Sequence, residues 1–365
     1  MERPGPGPAT PSSRIAVDAM GGDHAPREIV LGAFQAATSL PVHVLLVGRE
    51  AVLREQLAAV AQRIPSNLEI VDATEVVEMD DHPLAPIRKK KNSSIRVCAD
   101  LVGERRADAF VSAGNTGATW TSARRVLGMI EGVDRPALAA VVPNVKGRTI
   151  LLDVGANVDS KPHHLREFAV MGHFYAQVLF GLESPRIGLL SIGEEEGKGN
   201  ELIRQTFKVM KETGLNFIGN AEGRDVYNGN CDVVVCDGFI GNVVLKASEA
   251  LAEMVGTLLK EQLMVNPVRK VGALMTRGAF TELKKRTDYS EFGGAPLLGI
   301  RGGCVVCHGR STAKAIRNAI RLAADASASH LNDKIQEKIS DLHRRERAEG
   351  LEAGNGEAAS PGADS

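Results

Sequence analysis

The chain has 365 residues, 43% of them hydrophobic and 4% aromatic, and 44 Lys plus Arg set against 45 Asp plus Glu leave a formal net charge of −1. The apolar fraction is enough to bury a core, which argues against a mainly disordered chain, and the length fits one large domain or two. Near-neutrality excludes a general polyanion binder, and one Trp among 38 Gly offers few stacking platforms, so no nucleic-acid partner is expected.

Residues 1–13 are rich in Pro and Gly, lack the apolar stretch of a secretory signal, and read as a disordered tail. A β-branched run at 14–18 predicts a strand, and helical periodicity follows Pro26. Strands are then expected at 42–47 and 68–71 around a helix at 50–62, and a long helix at 87–106. Further strands fall at 108–112, 138–142, 149–153, 186–191, 217–218 and 232–236, with helices at 165–180, 201–211 and 243–261. A late strand at 302–307 leads into a helix from Thr312 to the 330s or 340s, and residues 349–365, rich in Gly, Ala, Glu and Ser, read as a second disordered tail. Strands alternating with helices predict an α/β fold with a doubly wound, mostly parallel sheet, in one core spanning 14–348. Within it, residues 262–290 mix Arg269, Lys270 and Arg277 with Val271, Leu274, Met275 and Phe280, turning near Gly278. This basic and apolar helical hairpin suits a membrane surface or a dimer contact, or equally an ordinary solvated face.

No apolar run approaches the ~18–20 residues of a membrane span, so the chain is expected in the cytoplasm with its five Cys reduced. Cys304-Val-Val-Cys307-His308 spells the string of haem attachment, but Val305 and Val306 read as a buried strand and no export signal accompanies it. No second ligand pair completes a zinc site. Neither metal nor cofactor is expected.

In a doubly wound sheet, ligands bind beyond the carboxyl ends of the strands. The first such loop holds Asp18, Gly21, Gly22, Asp23 and His24; its glycines permit an anion-receptive turn with His24 as an acid, or a plain turn capped by Asp23. Ser112-Ala-Gly-Asn115-Thr116-Gly117 has the small residues and polar side chains of a phosphate cradle. Asp153 with Asn157 is either a strand-end cap or the organiser of a site. Gly197-Lys198-Gly199 departs from the P-loop spacing, which leaves Lys198 as a cation on a Gly-flanked loop or a surface lysine. After Asp237, Asn242 can cap a helix or donate to a ligand oxygen. His308 is an acid/base or a structural His, and Arg310 can meet phosphate. No G-x-S-x-G elbow offers a covalent nucleophile, so the set suits an oxyanionic substrate attacking directly.

In order, IAVDAMGGDHAP, RKKKNSSI, SAGNTGA, LLDVGANVD, GKGNEL, VVVCDGFIGNVVLK, FGGAPLLG and the closing His308-Gly-x-Ser311 resemble the phosphate acyltransferases of bacterial phospholipid synthesis, over residues 14–324. The resemblance implies acyl transfer from acyl carrier protein to inorganic phosphate. It also implies a fold similar to the isocitrate/isopropylmalate dehydrogenases and phosphotransacetylase, a homodimer, and peripheral contact with the membrane or a membrane acyltransferase. On that resemblance Lys198 and Asn242 stand at the reacting centre. Gly21, Gly22, Asn115, Thr116 and Gly117 bind phosphate, with Asp18, Asp153, Asn157 and Asp237 in support. His24 and His308 are candidates for protonating the leaving thiolate, Val271, Leu274, Met275 and Phe280 for the membrane face. Lys89, Lys90 and Lys91 hold the pantetheine phosphate or the acidic carrier, or form a solvated helix face. Ser is usual in the family where Arg310 stands, and aliphatic residues where Cys304 and Cys307 stand. The alternatives are a phosphotransacetylase using acyl-coenzyme A, a nicotinamide-dependent decarboxylating dehydrogenase of similar fold, and a non-enzymatic scaffold that binds carrier protein.

Overall fold

The computed structural model describes residues 13–287 and 291–357. Residues 1–12 of the expected N-terminal tail, the end of the C-terminal one and residues 288–290 therefore lie outside the described residues, whereas Ser13, the last residue of that tail, opens the first strand. The first half of the chain forms β1 (Ser13–Asp18), α1 (Arg27–Ser39), β2 (Val42–Gly48), α2 (Glu50–Val60), β3 (Leu68–Asp72), α3 (Ala85–Arg88), α4 (Ser94–Gly103) and β4 (Ala109–Ser112). Next come α5 (Thr116–Ser122), running on through a π turn at Ala123–Leu127, then β5 (Ala137–Pro143), β6 (Arg148–Leu152), α6 (Pro162–Phe180), β7 (Ile187–Leu190), α7 (Glu201–Lys211) and β8 (Phe217–Ala221). The remainder is α8 (Asp225–Asn228), β9 (Val233–Val235), α9 (Gly238–Leu263), α10 (Pro267–Met275), α11 (Arg277–Thr287), β10 (Ala295–Leu298), β11 (Gly303–Val306), α12 (Ala313–Ala328) and α13 (Leu331–Glu357).

All eleven strands share one sheet in the order β3-β2-β1-β4-β11-β10-β5-β6-β9-β7-β8. Side chains alternate across it: Ile15 and Val17 of β1 join the core under α1, α6 and α12, whereas Ala16 joins the core under α4 and α5. The same alternation places Cys307 in the first core and Cys304 in the second, on opposite faces of β11. All five Cys are buried and free.

The sheet is mostly parallel but not a single parallel array. The strands β3-β2-β1-β4-β11 run one way and β6-β9-β7-β8 run the other. Antiparallel pairings of β10 with β11, β10 with β5, and β5 with β6 reverse the direction between them. Register decides the consequence. Val305 of β11 pairs with Pro296, the next residue Leu297 pairs with Leu138, and the neighbouring Ala139 pairs with Leu152 at the end of β6. The carboxyl ends of the two blocks therefore lie at nearly the same level, and the loops of both open on one central crevice.

Several expectations change. β10 was not foreseen, because Pro296 inside a short run disguises a strand. The helix expected at 87–106 is two helices separated by an ordered loop. The late helix breaks at Ser329 and His330, where His330 takes a positive φ of 53°, and then continues to Glu357. Residues 349–357 are thus helical rather than tail, in keeping with the helix-forming Leu, Glu and Ala among them. In the 262–287 segment the helices part at Thr276, not at Gly278. No described helix is long and apolar enough to cross a membrane.

Candidate active site

Three adjacent strands of the first block, β1, β4 and β11, deliver the Gly21–Gly22, Asn115–Gly117 and His308 loops to the crevice. Asp18 ends β1, is buried, and accepts the Ser112 hydroxyl at 2.7 Å and the Met20 N–H at 3.2 Å. Burial raises its pKa, and hydrogen bonds from Ser94, Ser112 and the Met20 and Gly21 N–H groups oppose the rise. The β1 and β4 loops pack so closely that a Cβ on Gly21 would lie 2.4 Å from Asp18 Oδ2 and 2.7 Å from the Gly114 nitrogen. The Asp23 N–H donates to the Gly309 carbonyl at 2.8 Å, tying this loop to the His308 loop. Asp23 does not cap α1, whose N-cap is Pro26 without a side-chain cap bond. His24 is exposed.

Asn115 caps α5 by accepting the Ala118 N–H at 2.9 Å, and its amide donates to the carbonyls of Met79 and Asp81. Its side chain is therefore committed to holding the loop, and what the loop offers an anion is the N-terminal end of the helix at Thr116 and Gly117. Lys90 is likewise drawn inward, to the Val76 carbonyl at 2.8 Å and the Asp81 carboxylate. That bond holds the Asp81 carboxyl below its ordinary range. Of the lysine triplet only Lys89 and Lys91 are exposed, together with Arg88, which sequence reasoning passed over.

Three adjacent strands of the second block, β6, β9 and β7, supply the opposite wall. Asp153 is buried just past β6 and accepts the N–H groups of Leu138, Gly155, Ala156 and Asn157 at 2.7–3.2 Å. The Asn157 amide adds a bond at 2.9 Å and donates also to the Pro136 carbonyl. Burial raises the Asp153 pKa against those bonds. This carboxylate is the knot of its loop, so Asp153 and Asn157 support the wall rather than face a ligand.

Asp237 caps α9 through the N–H groups of Phe239 and Ile240, both at 3.0 Å. Asn242 is thereby released from capping; it sits in the second turn, exposed, against Gly155. Helical spacing puts Lys246 and Glu249 on the same face as Asn242. These two pair at 2.9 Å and lie close enough to His308 to bias it. α9 thus carries Asn242 from the second block toward the His308 loop of the first. Lys246 was missed in the sequence, although its i+4 spacing from Asn242 was the available signal.

The His308 Nδ1 accepts the Arg310 N–H at 3.1 Å, which places the proton of the neutral ring on Nε2. Desolvation, then Lys246, hold its pKa below the ordinary value, so the ring is neutral at pH 7 with its proton on Nε2.

Lys198 lies on the loop after β7, exposed, with its stem against Gly193. Three glutamates precede it, yet Glu194 pairs with Arg224 and Glu196 with Lys211, each at 2.7 Å. Lys198 forms no ion pair among the described residues. Glu195 is the third and is likewise outside any ion pair among the described residues, so Lys198 and Glu195 share the loop one strand away from Asn242, on the same edge of the sheet. Val271, Leu274 and Met275 are far from this wall in sequence and are exposed on α10, and Phe280 of α11 is half-buried. The Asp134, His163 and His164 side chains also gather, but His164 Nδ1 accepts the Lys161 N–H while its Nε2 faces Asp134 at 2.7 Å, the bonding of a helix start.

Two staggered parallel blocks with anion-receptive loops facing across a crevice define an α/β enzyme of the phosphotransacetylase type of fold. Among solved structures, a phosphotransacetylase from Streptococcus pyogenes superposes with a TM-score of 0.63 at 16% identity, covering 87% of this chain and 94% of its own. The family model described as "Fatty acid synthesis protein" matches residues 13–334. Phosphate acyltransferase of Pelotomaculum thermopropionicum is 50% identical over 90% of this chain and 96% of its own, and that of Trichlorobacter lovleyi 51% identical over 90% and 95%. The chain belongs to the phosphate acyltransferase family, and it is an acyltransferase of fatty acid and phospholipid synthesis that transfers acyl groups to phosphate.

Proposed function

We propose that the acyl donor is acyl carrier protein and that inorganic phosphate attacks the thioester directly. A phosphate oxygen bonds to the carbonyl carbon, a tetrahedral oxyanion forms, and the carbon–sulfur bond breaks to release acyl phosphate and the carrier thiolate. The dianion is itself a nucleophile, so positioning and charge stabilisation are the main demands on the protein. Lys198 offsets phosphate charge, the Asn242 amide donates to the oxyanion, and the helix end at Thr116 and Gly117 with the Gly21–Gly22 turn seats the phosphate. His308 Nε2–H, or His24, supplies the proton to the thiolate. The observation that supports this reading most is the convergence of both sets of strand ends on one crevice, with an unpaired lysine at its edge.

The phosphotransacetylase fold match favours acyl-coenzyme A as the other donor to test. Incubating palmitoyl-carrier protein and palmitoyl-coenzyme A at equal concentration with phosphate separates them. Faster acyl phosphate formation from coenzyme A would overturn the carrier reading. The exposed Arg88, Lys89 and Lys91 suit the acidic carrier. Lys89→Glu with Lys91→Glu is expected to raise KM for the carrier substrate about tenfold, with kcat kept and KM for phosphate unchanged. An unaltered carrier KM would remove these lysines from the docking surface.

The exposed stripe Leu251, Met254, Val255 and Leu258 on α9 has the helical spacing of a packing seam and supports a homodimer. Beyond it, α10 exposes Leu274 and Met275 (82% accessible) beside Arg277, which supports peripheral contact with an anionic membrane. Flotation with anionic vesicles is expected to carry the wild type upward and to leave Leu274→Glu/Met275→Glu behind. Equal flotation of both would refute a membrane role for these residues, and a monomer in sedimentation at working concentration would refute the dimer.

A further inference from the structure

The crevice between the two blocks continues into a cleft of about 270 Å³ whose walls come from both. Val306, Leu297 and Leu138 of the central strands line it together with Trp120 of α5, Pro83 and Ala156. None of the lining residues is ionisable, and most are apolar, which suits a hydrocarbon chain. Thr116, Gly117 and Gly155 also line it, and each belongs to the reacting-centre loops: the first two start α5, and Gly155 abuts Asn242. An acyl carbonyl held at Asn242 would therefore have its first methylenes at the cleft.

We infer that this cleft holds the carbonyl-proximal part of the fatty acyl chain and that Trp120, Leu138 and Ala156 determine which chains are accepted. The inference rests on the acyl-transfer reading of the crevice and adds where the chain lies. The Arg124 guanidinium stands 5.4 Å from the centre of the Trp120 ring and steadies it as a wall. Each methylene removed from water is worth about fourfold in binding, so affinity rises with chain length until the cleft is full and then levels off. Ala156→Leu or Leu138→Phe fills the space with side-chain carbon. The Ala156 N–H bond to Asp153 is a backbone bond and survives the change.

Trp120 is the single tryptophan of the chain, so its emission reports on the cleft alone. Dibromostearate is expected to quench it saturably, and stearate to compete for the same site. In Ala156→Leu and in Leu138→Phe the half-saturating concentration should rise about tenfold or more, for the loss of two or more methylene contacts. Emission untouched by dibromostearate in the wild type, or equal half-saturation in the wild type and both variants, would overturn the inference. The same preparations are assayed for acyl phosphate with both donors. Quenching that follows the prediction without any acyl phosphate would count against the transfer reading and leave the chain site standing. Acyl phosphate formation with Trp120 unquenched would count against the cleft alone.

Discussion

Lys198→Ala is expected to lower kcat for acyl phosphate formation by about a hundred- to a thousandfold, the usual consequence of removing one preorganised charge-stabilising group from a reacting centre. Of the three glutamates on its loop, Glu194 and Glu196 pair with Arg224 and Lys211, and Lys198 forms no ion pair with the third, Glu195, among the described residues. The lysine sits at the carboxyl edge beside the strand that leads to Asn242. Because the side chain is exposed and forms no ion pair among the described residues, its loss removes little from the fold, and the thermal midpoint should stay where it was. Single-turnover rates at saturating phosphate, with melting curves on the same samples, check both halves. A rate within a few-fold of wild type would remove Lys198 from the chemistry.

Gly241→Ala is expected to reduce both stability and rate. A Cβ at this position would lie 1.9 Å from the Asp153 carbonyl oxygen and 2.8 Å from Cys236 Sγ, so the first turn of α9 must lift from the end of β6. Overpacking of this kind costs about 1–3 kcal/mol. For a domain of ~150–250 residues each kcal/mol lowers the midpoint by about 2–4 °C, and this larger core should move somewhat less. The lift also carries Asn242, the next residue, away from the crevice, and a displacement near 1 Å is enough to cost about a hundredfold in rate. Gly256→Ala on the same helix is the contrast: a Cβ there meets nothing within 4 Å, and alanine favours the helix. Calorimetry and kcat on the pair test the idea. A Gly241→Ala enzyme with wild-type rate would show that the position of Asn242 does not matter.

Most of the strand and helix order was legible because burial imposes a period. Runs such as residues 42–48, apolar but for His43 along a parallel strand, and the 3.6-residue pattern of residues 201–211 report which faces lie against the core. Misreadings occurred where one residue contradicts its surroundings. Pro296 hid a short strand, and Asn92-Ser93-Ser94, the residue types of a helix N-terminus, mark a break inside a segment otherwise rich in helix formers. The candidate site was partly legible for a different reason. Small residues and short polar side chains mark strand ends where backbone must come close to something, whatever that something is.

What such marks cannot distinguish is a side chain that faces a ligand from one that holds the loop. Asn115 and Asn242 look equivalent along the chain, yet Asn115 has every amide group engaged internally and Asn242 has none engaged among the described residues, Asp237 having taken the cap. Lys90 and Lys198 differ in the same way: one is bound to Asp81, the other forms no ion pair among the described residues.

By itself the sequence determined the class of fold, the strand-end loops, the absence of a long apolar helix and, through its ordered motifs, the family. These are local or periodic properties, set by propensity and by which residues must leave water. Only the tertiary structure decided that the sheet consists of two opposed parallel blocks and that β10 and β5 stagger them so that six strand ends meet. Only it brought Trp120 and Ala156 together in the lining of one apolar cleft. Those are long-range pairings between segments far apart in the chain, and register across a sheet depends on partners that no local pattern names.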